Sequence, residues 1–197
     1  MASKREHLRR LGPEAYRGDA VVHWSLTIRD RRTGWLTVPF YYRFRELLTH
    51  ATFKYRLACP IYCCMPDHVH LLWMGLHETS DQKPAMKAFR KWVNASLKRI
   101  GYSLQDQPYD HVLTDDERKE DGFRTIWNYI ARNPERAGLV PVDGYDRYGF
   151  TGCLLPGFPE VRPFDDGYWN DFDKVVSHLR RNGLYRLPKG SGGTGPS

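Results

Sequence analysis

The stretch RLACPIYCCMPDHVHLLWMG, residues 56–75, contains two short apolar runs separated by Pro66-Asp67. Both runs are rich in strand-forming residues, and a Pro-Asp pair favours a turn, so the stretch predicts an antiparallel hairpin. His68 and His70 stand one residue apart in the second run. Because successive side chains of a strand alternate between its faces, both imidazoles project from one face while Val69 points into the core.

The histidine pair has two interpretations at this level. The first is a pair of half-buried histidines on the wet face of a strand. The second is a bidentate metal clamp, because a buried imidazole requires a hydrogen-bond or metal partner. A zinc site that adds Cys63 or Cys64 is disfavoured, since C-C-x3-H-x-H matches no standard structural site. The four cysteines are interpreted as reduced thiols that serve as small apolar residues.

The segments around the hairpin alternate between strand and helix periodicity. The pattern predicts strands over 21–29 and 109–115 and helices over 39–55, 83–101 and 121–138, with an amphipathic helix in 162–179. The order strand, helix, strand, strand, helix, strand, helix is that of a split βαβ unit. We therefore predict an α+β fold of the ferredoxin-like sandwich type, an antiparallel sheet with helices on one face, plus an added C-terminal helix over 121–138 that carries Tyr129.

The composition fits one soluble domain with extensions. The chain has 197 residues, of which 41% are hydrophobic, and a formal net charge of +7, which favours a polyanionic partner. It contains no apolar run of the roughly 20 residues that a membrane span needs, and residues 1–18 lack the apolar core of a signal peptide, so we expect a cytoplasmic protein. The expected parts are a basic extension (1–18), the main domain (19–142), a C-terminal extension (143–187) and a disordered Gly/Ser tail (188–197).

A second group of polar residues lies about sixty residues after the hairpin. Tyr129 and Asn133 are four residues apart, which places them on one face of the predicted helix. Tyr129 is open to interpretation as an aromatic core residue, and Asn133 as a helix-ending residue before Pro134. The same pair also offers a phenol nucleophile and an oxygen ligand one helical turn apart.

These motifs together resemble a known family. MPDHVHLLW (65–73), YDHVL (109–113) and YIARNPERAGLV (129–140) occur in the order found in the HUH single-tyrosine transposases. The resemblance is greatest to the branch of REP-associated tyrosine transposases within the insertion-sequence transposases. It covers residues 19–142.

The resemblance implies roles for four residues. His68 and His70 are the expected HUH histidines, Tyr129 the nucleophile and Asn133 the third metal ligand. The family more often has Asn at the position of Asp67. The implied activity is that of a metal-dependent single-stranded DNA endonuclease and strand transferase, which acts at hairpin-forming repeats through a 5′-phosphotyrosine intermediate.

The implied cofactor is Mg²⁺ or Mn²⁺, because Mg²⁺ prefers oxygen ligands and Mn²⁺ tolerates imidazole better. The implied partner is single-stranded or hairpin DNA, bound by a monomer or a homodimer. Basic residues on the second and third predicted helices are the candidates for phosphate contacts: Lys87, Arg90, Lys91, Lys98, Arg132 and Arg136.

Two alternatives are open. A domesticated hairpin-binding protein would have the same fold and DNA preference without cleavage. A replication-initiator or relaxase-like nuclease would share the HUH site and its chemistry. The intact histidines and tyrosine favour a cleaving enzyme, and NPERAGLV (133–140) favours the transposase branch.

Overall fold

The structure, a computed structural model, describes residues 11–119 and 121–183. Within these residues the chain forms five strands and six α-helices. The strands are β1 (Val21–Thr27), β2 (Leu57–Cys64), β3 (His68–Gly75), β4 (Tyr109–Val112) and β5 (Thr151–Leu154). The helices are α1 (Val38–Tyr55), α2 (Gln82–Lys98), α3 (Asp115–Lys119), α4 (Gly122–Ala131), α5 (Asn133–Arg136) and α6 (Tyr168–Asn182).

The predicted hairpin is confirmed. Strands β2 and β3 pair antiparallel, with Cys64 opposite Val69 and Cys63 opposite His70. The turn is closed by the backbone N–H of Met65, which donates to the carbonyl oxygen of His68 at 2.7 Å. The hairpin therefore fixes His68 at the first position of β3, directly after the turn.

The five strands form one antiparallel sheet in the order β4-β1-β3-β2-β5. The order of the first four is that of the predicted split βαβ unit. Strand β5 was not predicted from the sequence, and it pairs with β2 at the edge. The segment 143–183 thus belongs to the main fold, since it supplies one strand of the sheet and helix α6.

Helices cover both faces of the sheet. On one face α1 and α2 pack through Phe44 and Phe89 against Trp24 and Trp73. On the other face α4 and α6 form a second core with Leu72. Because strand residues alternate, the neighbours of Trp24 on β1 point to the face of α4 and α6. The histidines of β3 lie on that same face.

The predicted helix over 121–138 is divided in two. Helix α4 ends at Ala131 because Arg132 leaves helical geometry (φ −89°, ψ 4°), and the short α5 begins at Asn133. Asp121 precedes α4 as predicted, but its side chain does not cap the helix. Its backbone is left-handed (φ 59°), whereas a capping side chain needs an extended backbone at that position.

The outermost predicted segments lie outside the described residues: positions 1–10 of the basic extension and the whole Gly/Ser tail. Among the helices in 11–119 and 121–183, none combines the length and apolar character required to cross a bilayer.

Candidate active site

The two histidines of β3 converge at one point. Nε2 of His68 lies 3.0 Å from Nε2 of His70, and the rings are nearly perpendicular, with an interplanar angle of 89°. His70 is buried, whereas the His68 side chain keeps 20% of its surface exposed. His68 is therefore the partly accessible member of the pair, and His70 is the buried member.

Asp67 orients His68 from the turn. Its Oδ1 lies 2.6 Å from Nδ1 of His68, and its Oδ2 accepts a hydrogen bond from Nη1 of Arg31 at 2.7 Å. Partial burial raises the pKa of Asp67, but the hydrogen bonds from His68 and Arg31 outweigh it and hold the pKa below the usual value. Because an ionised carboxylate accepts a hydrogen bond, it favours the His68 tautomer with the proton on Nδ1, in which Nε2 has a lone pair.

His23 on β1 contacts His70 from the other side. Nε2 of His23 lies 2.9 Å from Nδ1 of His70, and both side chains are buried. Burial lowers the pKa of His23 to about 4, with a further contribution from the nearby His111. Burial also lowers the pKa of His70 to about 2, and the neighbouring His23 and His68 lower it further. Both rings are therefore neutral at pH 7, the form in which imidazole binds metals.

The geometry fits a divalent cation. Two imidazole nitrogens bound at right angles, each about 2.1 Å from one ion, lie about 3.0 Å apart, which is the separation observed between the two Nε2 atoms. Within 11–119 and 121–183, no three side chains of His, Cys, Asp and Glu form a metal-binding group. A cation here would thus need an amide, water or phosphate oxygen to complete its ligands.

The cysteines near this face do not fit a metal site. All four cysteines of the chain are free and buried. Burial raises the pKa of Cys63 to about 12 and that of Cys64 well above its usual range. Both are therefore protonated thiols in the metal-free protein. Cys64 packs in the core on the opposite face of the sheet, and within the described residues neither cysteine joins a metal-binding group of His, Cys, Asp and Glu.

Tyr129 projects from α4 over the histidines. Its ring makes edge contacts with His70 and His23 at centroid distances of 5.7 and 5.9 Å. The residue is 41% exposed, which is unlike a core tyrosine. The guanidinium carbon of Arg136 lies 4.7 Å from the centre of the same ring. The phenol is therefore accessible, close to the histidine pair and close to a positive charge.

Asn133 follows at the break between α4 and α5. Its Nδ2 donates to the carbonyl oxygen of Tyr129 at 2.8 Å and, more weakly, to that of Ile130 at 3.5 Å. These bonds orient the amide and use its nitrogen, so Oδ1 is the atom that would meet a cation. The structure brings His68, His70 and Tyr129 together through ring contacts, whereas these hydrogen bonds join the Asn133 amide to the backbone of α4.

The candidate phosphate-binding residues divide between the two faces of the sheet. Arg132 and Arg136 lie beside Tyr129, but Arg132 forms ion pairs with Glu135 and Asp143 at 3.0 and 2.6 Å. Arg136 is exposed. On this face Arg136 is thus the better placed of the two for a phosphate contact.

The other candidates lie on α2, across the sheet from Tyr129. Lys87, Lys91 and Lys98 are exposed, and the first two line a groove between α2 and the segment before β4. Arg90 lines the same groove, but its Nη2 donates to the backbone carbonyl oxygens of Gln105 and Asp106. Arg90 therefore holds that segment in place, while Lys87 and Lys91 place exposed positive charge along a groove that Asp106 and Asp110 also line.

The fold of this chain is also found among solved structures. No protein-family model and no curated protein matches the chain. Six solved chains match it. One of them, a REP-associated tyrosine transposase bound to a REP hairpin, aligns with a TM-score of 0.60 over 74% of this chain and 81% of its own.

The chain has the fold of that transposase. The sequence identity between the two is 18%, so the similarity concerns the fold and not the individual residues. The roles of the site residues therefore depend on the geometry described above.

The sequence interpretation missed His23. The alternation in β1 placed it with Ser25 and Thr27 on the polar side of the strand. The structure shows this alternation. Alternation within β1 does not, however, reveal which residues of a neighbouring strand lie on the same face of the sheet. The pairing of β1 with β3, with Ser25 opposite His70, places His23 diagonally beside His70.

Proposed function

We propose that this protein is a metal-dependent single-stranded DNA endonuclease and strand transferase of the HUH single-tyrosine transposase family. The observation that carries the proposal is the position of Tyr129, an exposed phenol whose ring contacts His70 beside the converging Nε2 atoms of His68 and His70. A core tyrosine would be buried, and a structural histidine pair needs no exposed phenol next to it. The similarity of fold to a hairpin-bound tyrosine transposase supports the same proposal.

The proposed metal centre uses the Nε2 atoms of His68 and His70 and an oxygen of Asn133 as ligands. A bound Mg²⁺ or Mn²⁺ supplies Lewis-acid polarisation of the scissile phosphate. Asp67 fixes the orientation of His68 through its Nδ1, which keeps the lone pair of Nε2 available. The protein thus contributes a rigid pair of imidazoles on a central strand of the sheet.

The proposed nucleophile is the hydroxyl oxygen of Tyr129. It attacks phosphorus, and the bond between phosphorus and the 3′ oxygen of the neighbouring nucleotide breaks. The phenol gives up its proton to solvent and the departing 3′ oxygen takes one up, so the number of protons balances. The products are a 5′-phosphotyrosine and a free 3′-hydroxyl. The phosphodiester is exchanged rather than hydrolysed, so a 3′-hydroxyl can attack the phosphotyrosine and rejoin DNA without ATP.

Arg136 supplies positive charge beside this reaction. Its guanidinium lies over the Tyr129 ring, where it favours the negative charge of a phenolate and attracts a phosphate. We propose that Arg136 contacts the DNA next to the cleaved bond.

The proposed DNA surface also includes the groove along α2. Lys87 and Lys91 are one helical turn apart and exposed, so they can follow successive phosphates of a hairpin stem. Their place across the sheet from Tyr129 suits a substrate with two parts. The duplex stem would contact α2, and a single-stranded flank would pass the β4 edge to reach Tyr129.

A cleavage assay tests the proposal. The protein is incubated with Mn²⁺ and oligonucleotides that carry a hairpin from repeats of its own genome and a single-stranded flank. We expect a protein–DNA adduct that survives denaturation in the wild type and is absent with EDTA. Hairpin binding without an adduct in every metal condition would favour the non-cleaving alternative and contradict the nuclease.

A further inference from the structure

His23 is a buried imidazole that the proposed chemistry does not use. It is 7% exposed and lies on β1, an interior strand that pairs with both β3 and β4. A buried polar ring on an interior strand costs stability unless its nitrogens are paired. Its observed partner is Nδ1 of His70, at 2.9 Å.

The two histidines of β3 are held in matching ways. His68 meets the carboxylate of Asp67 at its Nδ1, and His70 meets the imidazole of His23 at its Nδ1. In both residues Nε2 is the remaining nitrogen, and the two Nε2 atoms face each other at 3.0 Å. The Nδ1 atoms of His68 and His70 thus have protein partners, and their Nε2 atoms point to the place proposed for the cation.

The number of protons on a neutral imidazole determines what His23 can do for His70. A neutral imidazole has one N–H and one lone pair, so His70 can offer a lone pair at Nε2 only when its proton is on Nδ1. An N–H at Nδ1 of buried His70 needs an acceptor, and Nε2 of His23 is the atom within hydrogen-bond distance. His23 then carries its own proton on Nδ1.

We propose that His23 is a positioning residue for His70. It accepts the hydrogen bond from Nδ1–H of His70 and thereby holds the lone pair of Nε2 toward the cation. The inference rests on the proposed metal-dependent function. The edge contact between His23 and Tyr129 places the same ring against the proposed nucleophile, so His23 also limits how both groups turn.

Burial makes the effect measurable. His70 is 6% exposed, so water does not readily replace the acceptor when His23 is lost. Loss of such a partner of a metal-binding histidine weakens metal binding by roughly 10- to 100-fold. Leu at position 23 removes the acceptor but fills the space, whereas Gln places an amide oxygen near the original Nε2.

The experiment is a Mn²⁺ titration of the protein without DNA, by calorimetry or by EPR of free Mn²⁺. We expect His23→Leu to bind Mn²⁺ roughly 10- to 100-fold more weakly than wild type, and His23→Gln to recover most of the affinity. The matched control is His111→Leu, because His111 lies opposite His23 on β4 and pairs with Glu117 instead. Thermal unfolding of each variant separates loss of affinity from loss of fold.

Wild-type affinity in His23→Leu overturns the inference and leaves the proposed function intact. A wild-type protein that binds no Mn²⁺ contradicts the metal centre and overturns both. If His23→Leu does not fold, ¹⁵N NMR of the wild type with Mg²⁺ gives the decision. A proton on Nδ1 of His23 with Nε2 unprotonated supports the inference, and a proton on Nε2 overturns it.

Discussion

Tyr129 presents its ring to the edge of His70, with ring centroids 5.7 Å apart, although one residue lies on α4 and the other on β3. The contact depends on how α4 packs against the sheet. Trp127 and Ile130 of this helix are buried in the core, whereas Tyr129 is exposed. Buried neighbours on the same helix thus anchor α4 and leave the phenol exposed over the histidine pair.

Removal of either histidine of β3 should abolish DNA cleavage. His68→Ala or His70→Ala deletes one of the two proposed imidazole ligands, so the polarisation of the phosphate is lost. Hairpin binding should remain nearly unchanged, because most of the affinity comes from phosphate contacts elsewhere. Cleavage and gel-shift assays check both expectations. His50→Ala is the matched control, since His50 is exposed on α1 and makes an edge contact with Trp92.

Wild-type cleavage by either alanine variant would contradict the metal site. Loss of cleavage together with loss of hairpin binding would instead indicate a folding defect, which circular dichroism would detect.

Hairpin binding should weaken steeply with salt and should require a single-stranded flank for full affinity. The lysines of α2 supply the electrostatic, salt-dependent part of the affinity, and unpaired bases of the flank supply specificity. Lys87→Ala or Lys91→Ala should each reduce the slope of log affinity against log salt by about one. Lys174→Ala is the control, because Lys174 lies on α6 near Asp171. Equal affinity for blunt duplex DNA would count against a transposase-type substrate.

Folding stability in the absence of metal should decrease as the pH falls from about 6.5 toward 4. The pKa values of His23 and His70 are lowered to about 4 and about 2 in the folded protein, whereas an unfolded histidine has a pKa near 6.5. Below pH 6.5 the unfolded chain therefore binds protons that the folded chain does not, and stability falls by up to about 1.4 kcal/mol per pH unit for each ring.

Urea unfolding at pH 7, 5.5 and 4.5 with EDTA measures this dependence. The double variant His23→Gln/His70→Gln should have a clearly flatter profile over the same interval. An identical profile in the variant would show that other groups cause the pH dependence.

Replacement of Arg136 should slow cleavage without unfolding the protein. Arg136→Met keeps an apolar side chain over Tyr129 but removes the charge that favours the developing phenolate. If that charge stabilises the transition state by about 0.5–2 kcal/mol, cleavage slows by roughly 2- to 30-fold. Single-turnover cleavage with saturating DNA measures it. Arg132→Met is the contrast, because the ion pairs of Arg132 with Glu135 and Asp143 suggest a structural role. A larger rate loss in Arg132→Met than in Arg136→Met would reverse the assignment.

Local patterns in the sequence were sufficient to predict the hairpin, the first four strands and the main helices. Each depends on short-range signals, such as the alternation around Trp24 or the turn at Pro66-Asp67. Strand β5 could not be predicted in this way, because its four residues become a strand only by pairing with β2. The break at Arg132 was hidden for a related reason: the apolar pattern continues through it, and only Pro134 indicates it.

The grouping of the candidate site residues could be predicted in part, whereas their roles stay predictions. The spacing of His68 and His70 indicates a shared face, and the resemblance to the transposases indicates Tyr129 as the partner. The role of His23 depends on which strand lies beside β3, and the ion pairs of Arg132 depend on the fold around Asp143. These contacts join residues that are separated in the sequence, so the periodicity of a single segment cannot predict them.

We propose that Tyr129 forms the covalent bond to DNA. Tyr129→Phe removes one exposed hydroxyl, so the variant should fold, bind Mn²⁺ and bind hairpin DNA, but form no adduct. Mass spectrometry of the trypsin-digested wild-type adduct tests this most directly, since the expected peptide, residues 125–132, contains Tyr129 as its single tyrosine. We predict a nucleotide attached to that peptide. An adduct on a peptide with a different tyrosine, or cleavage by Tyr129→Phe at the wild-type rate, would contradict the account.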